Sequence, residues 1–188
     1  GATLDGKKIS RMFFISGGCS LYLEALHFVD GHGVYGGAVE ARNAGDIAMK
    51  DVSFTGCEAD LHGGAMFVHL SGDVSMESAG FRSCTSARSG GAMKVVNSGD
   101  VFMKGANFSE CTASYDGAAM YVLGSGDVSL EGASFVGCAA DNQAALYLLS
   151  IERLALTNSQ FVDNIADRTP AALFFTSSVA TSGSLLRN

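Results

Sequence analysis

The chain repeats two short motifs at a nearly constant step of 27 residues. The first joins Gly-Gly-Ala to an apolar residue and occurs, intact or degraded, at 36–39, 63–66, 90–93, 117–120, 143–146 and 170–173. The second is Phe-x-x-Cys, at 54–57, 81–84, 108–111 and 135–138, and it becomes Phe-x-x-Asn at 161–164. A fixed period of this length indicates a solenoid, in which each repeat buries its apolar face against its neighbours.

Within one period the apolar pattern is typical of short strands. Ala65 to His69, Val74 to Glu77 and Phe81 to Cys84 read as three strands separated by Ser, Gly and Asp turns, and 85–89 reads as a loop. Stacked copies of such a coil form three parallel sheets with a right-handed crossover. We therefore predict an all-β, right-handed parallel β-helix of about seven coils, forming a single domain over residues 1–188.

The two motifs together resemble the repeats of the polymorphic outer membrane proteins of chlamydiae, and more broadly the pectin-lyase-like β-helices. The resemblance spans nearly the whole chain at Gly36 to Ala38, Gly63 to Ala65, Gly90 to Ala92 and Phe161 to Asn164. The chain departs from that pattern where four of its second motifs carry Cys instead of Asn. The resemblance implies a β-helical passenger domain at a cell surface, and it informs fold more than function.

Composition limits the partners. The net charge is −7 with 12 Lys and Arg, and no basic stripe is visible, so we expect neither nucleic acid nor an anionic membrane surface as partner. No apolar run reaches the length of a membrane span, and no cofactor motif is present. The chain begins with Gly, so we expect an excerpt or a processed part of a longer protein.

The compartment is left open by the composition. A repeated, acidic, Gly-rich chain favours a secreted or cell-surface location, which is our expectation. Five Cys without obvious pairing favour a reducing compartment instead, where the chain would be an internal subunit of a large assembly.

Two apolar columns, each formed by equivalent residues of successive coils, are predicted to point inward. One is Val39, Met66, Met93, Met120 and Leu146; the other is Phe54, Phe81, Phe108, Phe135 and Phe161. Polar residues occur beside these positions but not at them, so we assign both columns to the core. The stacked methionines are interpreted as packing rather than as a soft-metal path.

Four cysteines form a further column: Cys57, Cys84, Cys111 and Cys138. Their Cα atoms would lie within disulfide range, but side chains stacked on parallel strands point the same way. Four ligands in a line also do not surround a zinc ion. We predict buried free thiols, with Cys19, in a turn, as the most reactive cysteine.

A column of aspartates is predicted in the first turn: Asp46, Asp73, Asp100 and Asp127, each preceded by Gly. Stacked carboxylates repel one another, so something must offset their charge. Calcium is one possibility. The other, which we favour, is that each Asp accepts backbone N–H bonds at its own corner.

An outward column alternates in sign: Lys50, Glu77, Lys104 and Glu131. Stacking places each charge beside its opposite, which contributes roughly 0.2–1 kcal/mol per pair. A slip by one coil would place like charges together, so the alternation favours a single register.

Catalysis is not the favoured reading. β-Helices often carry enzymes that cut acidic polysaccharides, but such chemistry needs carboxylates that converge on one groove. His27, His32, His62 and His69 lie in the first part of the chain and read as solvated histidines, with His32 and His62 in equivalent loops. We predict a non-catalytic scaffold or protein-interaction module; the alternative is a carbohydrate-active enzyme, for which carbohydrate binding has no support in the sequence.

The interaction surface is predicted from the two outward columns of the strand after Gly-Gly-Ala. The first column is aligned as Phe13, Glu40, Phe67, Lys94, Tyr121, Tyr147 and Phe174, and the second as Ile15, Arg42, His69, Val96, Leu123, Leu149 and Thr176. Toward the C-terminal end both become apolar, giving one exposed patch: Val96, Tyr121, Leu123, Tyr147, Leu149 and Phe174. Such a patch is typical of a protein interface, unless residues 181–188, another loop or a further coil covers it.

Overall fold

The protein is a parallel β-solenoid of about six turns, with roughly 27 residues in each turn. The computed structural model describes residues 1–168 and 170–177, and this part of the chain contains strands and turns but no helix. Consequently, within these residues there is no helix that is long and apolar enough to cross a membrane.

The strands follow one another in the same order in every coil. Strand β1 (Ala2–Asp5) comes first, and β26 (Leu173–Ser177) follows the last complete coil. The first three complete coils contain β2 (Phe13–Ser16), β3 (Leu21–Glu24), β4 (Leu26–Val29), β5 (His32–Tyr35); β6 (Val39–Arg42), β7 (Ile47–Lys50), β8 (Ser53–Thr55), β9 (Glu58–His62); β10 (Met66–His69), β11 (Val74–Glu77), β12 (Gly80–Arg82) and β13 (Thr85–Ser86). The next three contain β14 (Met93–Val96), β15 (Val101–Lys104), β16 (Asn107–Ser109), β17 (Thr112–Ala113); β18 (Met120–Leu123), β19 (Val128–Glu131), β20 (Ser134–Val136), β21 (Ala139–Ala140); β22 (Leu146–Ile151), β23 (Leu154–Thr157), β24 (Gln160–Val162) and β25 (Ile165–Ala166).

Equivalent strands of successive coils pair in parallel and form four sheets. Sheet I is β2-β6-β10-β14-β18-β22-β26, sheet II is β3-β7-β11-β15-β19-β23, sheet III is β1-β4-β8-β12-β16-β20-β24, and sheet IV is β5-β9-β13-β17-β21-β25. Sheets I to III are the three predicted sheets. Sheet IV lies where a loop was predicted, because strands as short as Thr85–Ser86 are too short to show an alternating pattern. The predicted third strand also ends earlier, at Arg82, since Ser83 adopts a positive φ of 49°.

The first coil is offset by one residue from the predicted alignment. Phe13 pairs with Val39, Phe14 with Glu40 and Ser16 with Arg42. Ile15, placed outward in the prediction, is therefore buried at 9% exposure, and Phe14 is 58% exposed. The cause is a shorter connection, since the step from this coil to the next is 26 residues rather than 27.

The two predicted inward columns fill the core. The column from Val39 to Leu146 is fully buried. The phenylalanine column begins one coil earlier than predicted, at Phe28, and its rings stack with centroids 4.6–4.9 Å apart and interplanar angles of 3–10°. Offset-stacked rings at this spacing contribute about 0.5–1.5 kcal/mol per pair beyond their buried area.

The Gly-Gly-Ala motif meets a steric requirement of the coil. Gly63 has a φ of 66°, a left-handed conformation that disfavours other residues. A Cβ on the following residue, Gly64, would collide with the carbonyl oxygen of Gly91 in the next coil. The motif is therefore explained by close backbone contact between coils and need not be a ligand site.

Candidate functional site

The cysteine column is a structural element of the core. Cys57, Cys84, Cys111 and Cys138 are free and buried, whereas Cys19 is free and exposed. The thiol of Cys84 donates to the carbonyl of Phe54 at 3.7 Å, and equivalent bonds join Cys111 to Phe81 and Cys138 to Phe108. Hydrogen bonding to Cys111 and Cys57, together with burial, raises the pKa of Cys84, so that thiol stays protonated.

The same contact explains why Asn replaces Cys in the fifth copy of the second motif. The Asn164 amide nitrogen donates to the carbonyl of Phe135 at 2.9 Å, and its oxygen accepts from the backbone N–H of Cys138 at 2.9 Å. Cys and Asn thus both donate a hydrogen bond to a carbonyl of the preceding coil.

The aspartate column ties successive coils together. Asp46 Oδ1 accepts the backbone N–H of Asp73 at 3.0 Å, Asp73 Oδ1 that of Asp100 at 2.9 Å, and Asp100 Oδ1 that of Asp127 at 2.8 Å. We predicted that each Asp bonds at its own corner. The carboxylates instead accept hydrogen bonds from the next coil. A Cβ on Gly72, Gly99 or Gly126 would collide with Oδ1 of the Asp one coil earlier, so these three glycines leave space for the preceding carboxylate.

In the part of the chain that the structure describes, neither this column nor another cluster forms a metal centre. In residues 1–168 and 170–177 no group of three or more His, Cys, Asp or Glu side chains is arranged to hold a metal ion. The carboxylate of Asp127 instead forms an ion pair with Arg153 at 3.3 Å.

The charged column stands on the outer face of sheet II. Glu77 pairs in register with Lys50 on one side and Lys104 on the other, and Lys104 pairs with Glu131, with 3.8 Å between their charged groups. Glu24 precedes Lys50 in register, so the alternation starts one coil earlier than the sequence indicated.

The outer face of sheet I brings together the six residues of the predicted patch. Tyr121, Tyr147 and Phe174 are adjacent in register, and so are Val96, Leu123 and Leu149. The three rings stack, with centroids 5.0 and 4.6 Å apart. The patch is half-buried rather than fully exposed, because each ring covers the face of the next. Residues 181–188, considered as a possible cover, lie outside the described residues. We call these six residues the apolar ladder.

The other end of this face is polar and more deeply buried. Glu40 is only 4% exposed and accepts hydrogen bonds from Arg11 and Arg42. The Arg42 guanidinium also lies over the rings of Tyr35 and Phe67, at 4.6 and 5.2 Å from their centroids. Two cations share one carboxylate here, so an excess positive charge lies beside aromatic surface.

Between these two regions lies a small basic cleft. It has a volume of about 220 Å³ and is lined by His62, Arg88, Ser89 and Tyr115. The Nζ atom of Lys94 lies 3.1 Å from His62 Nδ1 and 4.5 Å from the ring centroid of Tyr121. Lys94 thereby joins the cleft to the apolar ladder.

Burial dominates the titration of this cleft. Desolvation, and then the charges of Lys94 and Arg88, lower the pKa of His62 to about 4. Desolvation and Arg88 lower the pKa of Lys94 to about 8, against an opposing effect of Asp116. His62 is therefore neutral at neutral pH, whereas Lys94 is mostly charged.

The four histidines do not form a common site. His27 contacts Ser53 Oγ at 2.7 Å, and His32 contacts Asp60 at 3.2 Å. His62, interpreted from the sequence as solvated, is half-buried in the basic cleft. The grouping of Arg88, Lys94 and His62 was not predicted from the sequence. One feature of the sequence could have indicated it: Lys94 interrupts the aromatic residues Phe67, Tyr121 and Tyr147 in the first outward column.

Comparisons with known proteins assign no family to the chain. No family model matches it, and no curated protein matches it. Among solved structures, a trypsin-treated form of QnrB1, a plasmid-mediated fluoroquinolone resistance protein, aligns at 14% identity with a TM-score of 0.22. That alignment covers 76% of this chain and 75% of the other, and its TM-score is too low to support any argument. The resemblance to polymorphic outer membrane proteins and to pectin-lyase-like proteins gains no support, and the fold rests on the strand pairing described above.

Proposed function

We propose that the protein is a non-catalytic interaction module that binds a protein partner through the outer face of sheet I. The observation that carries the proposal is the apolar ladder. Apolar and aromatic side chains occupy both outward columns on β18 and β22, and one of the two columns on each of the flanking strands β14 and β26. A solenoid coil supplies these positions at a fixed spacing, which suits an extended contact. Tyr-rich apolar surface of this kind is typical of protein interfaces.

The stacking within the apolar ladder favours a protein partner over a carbohydrate. A sugar binds an aromatic residue across the ring face, but Tyr147 has Tyr121 on one face and Phe174 on the other. Tyr121 has Lys94 on its remaining face. The ring edges and hydroxyl groups are left for a partner, and apolar side chains can pack against them.

The carbohydrate-active alternative has weaker support. A groove of about 340 Å³ on sheet II lies between the exposed rings of Tyr22 and Phe102, over Ala48 and Ser75. Glu77 is the carboxylate among the residues that line it. Glycoside hydrolysis in most families uses a pair of carboxylates on opposite sides of the scissile bond, which this groove does not present.

The positive charges on the outer face of sheet I favour an acidic partner. The proposal also includes a secreted or cell-surface location. Arg11, Arg42, Arg88 and Lys94 lie along one face of a chain whose net charge is −7. Such a concentration of positive charge would steer an acidic surface toward the apolar ladder. Burial of four of the five thiols makes the fold compatible with an oxidising compartment, because buried thiols react slowly.

The test is a double substitution, Tyr121→Ser with Tyr147→Ser. We expect the β-solenoid to remain folded, by circular dichroism, while self-association or capture of the binding partner weakens at least tenfold. Tyr22→Ser is the matched control, because Tyr22 is 63% exposed on sheet II. Equal binding by the double variant and the wild type, measured by sedimentation velocity and by crosslinking from position 123, would refute the proposal. An equal loss in the Tyr22 variant would also contradict it.

A further inference from the structure

Among the described residues, the basic cleft has more positively charged hydrogen-bond donors than negatively charged acceptors. His62 Nδ1 accepts the backbone N–H of Ser89 at 3.3 Å and lies 3.1 Å from Lys94 Nζ, which has only protons to offer when charged. An Nδ1 atom that accepts must be unprotonated, so the neutral ring carries its proton on Nε2. The nitrogen left for a ligand is therefore a donor, as are the Arg88 guanidinium and the Lys94 ammonium.

The charges around the cleft leave one positive charge in excess. Arg88 and Lys94 contribute two positive charges, His62 is neutral, and Asp116 contributes one negative charge nearby. The Asp116 carboxylate is itself held by the Asn142 amide at 2.6 Å. Lys94 is the half-buried cation of the pair, whereas Arg88 is exposed. A half-buried cation without full compensation is unfavourable, and one bound monoanion would remove the imbalance.

We propose that the cleft lined by His62, Arg88 and Tyr115 and joined by Lys94 is a subsite for a single carboxylate, supplied by an acidic side chain of the protein partner. The inference rests on the proposed function, because it places the polar anchor of that partner. A carboxylate carries the one negative charge that the cleft lacks, whereas a phosphate dianion would overcompensate it. Charge-assisted bonds from Arg and Lys are the strong contacts for such a group.

The position of the subsite suits recognition of a residue in a peptide. Lys94 Nζ lies 4.5 Å from the Tyr121 centroid, so a carboxylate bound to Lys94 would stand at the edge of the apolar ladder. An acidic residue next to apolar residues in a partner segment would then contact both regions at once. The apolar ladder supplies apolar contact area, and the cleft fixes the alignment of the partner segment along the ladder. Apolar anchors and charged groups commonly have these two roles at an interface.

The experiment uses acetate as probe, with the full chain and constant ionic strength. The Lys94 side chain and the His62 ring are followed by NMR during an acetate titration. We expect both signals to shift saturably and the pKa of Lys94 to rise from about 8, because a bound anion favours the ammonium. Lys94→Met and Arg88→Gln should each weaken the acetate effect on His62 at least fivefold. Lys50→Met, on sheet II, is the matched control and should leave it unchanged.

The outcomes separate this inference from the proposed function. Absence of any acetate shift at Lys94 and His62, in a folded protein, refutes the subsite while leaving the test of the apolar ladder untouched. Inorganic phosphate acting at lower concentration than acetate at pH 7.5 refutes the assignment to a carboxylate. The only apolar group of acetate is one methyl, which is too small to need the apolar ladder, so its binding would survive Tyr147→Ser even if that variant showed that the ladder binds no partner.

Discussion

Ser86 is a buried serine whose replacement should stabilise the fold. Its side chain is fully buried, and among the described residues its hydroxyl has no hydrogen-bond partner. A buried polar group without a partner costs about 1–3 kcal/mol. Ser86 pairs in register with Ala59 in the preceding coil and Ala113 in the following one. Ser86→Ala therefore introduces the residue that both neighbouring coils already carry at this position.

The expected gain for Ser86→Ala is about 1–3 kcal/mol in the free energy of unfolding, since the full desolvation cost of the hydroxyl is removed. In a chain of this size 1 kcal/mol corresponds to a shift of about 2–4 °C in the melting temperature. Thermal unfolding by circular dichroism and urea unfolding by fluorescence or dichroism both measure it. A stabilising effect smaller than the error of these assays, or a loss, would show that the hydroxyl is satisfied in solution.

The matched control is another buried serine with bonded partners. Ser159 Oγ accepts the backbone N–H of Ala133 at 3.1 Å and donates to the carbonyl of Leu130 at 3.3 Å. Ser159→Ala leaves an amide without its acceptor and should lower stability by about 1–3 kcal/mol. Opposite signs for the two serine variants are expected. The same sign for both would mean that hydrogen bonding does not decide the effect.

Three further predictions concern charge, pH and thiols. Glu77→Lys places a third lysine between Lys50 and Lys104 in the same column. Stability should fall by no more than about 1 kcal/mol per contact, and by less at high salt; a salt-independent loss would contradict the assignment of this column to the surface. The pKa of His62 is about 4 in the folded protein, against the ordinary histidine value of 6.5 in the unfolded chain. Between these two values the unfolded chain binds more protons, so the free energy of unfolding should fall as the pH drops from 6.5 to 4. His62→Gln should flatten that slope, and an unchanged slope would refute the burial argument. A thiol reagent should modify Cys19 alone in the folded protein and all five cysteines after denaturation; reaction of a second thiol before unfolding would contradict the buried column.

The repeat made the main architecture predictable, and its exceptions mark where prediction failed. The period of the Phe and Gly-Gly-Ala motifs defines the stacking, and hence the inward columns, whatever the strand boundaries are. Sheet IV was missed because a strand such as Thr112–Ala113 has no internal pattern. The first coil was aligned one residue off because a connection shorter by one residue leaves the motif recognisable but shifts its register.

The candidate site was predictable only in part, for a geometric reason. The apolar ladder lies within aligned columns, so the sequence placed Tyr121 and Tyr147 on one outward face. The basic cleft draws on His62, Arg88 and Lys94, which come from different positions of successive coils. Aligning the repeats in columns does not predict that such residues are close in space, because the distances between them depend on the backbone conformation of the turn that leads into sheet I.

The alternating charges on sheet II favour the gain or loss of an even number of coils when this chain lengthens or shortens. The apolar columns and the aspartate bonds repeat once per coil, so a coil added or deleted in frame reproduces them. The column that runs Glu24, Lys50, Glu77, Lys104 and Glu131 repeats only every second coil. Duplication of one coil would place like charges side by side, whereas duplication of two would preserve the alternation. Chains of this kind should therefore tolerate gain and loss of coils in pairs better than singly.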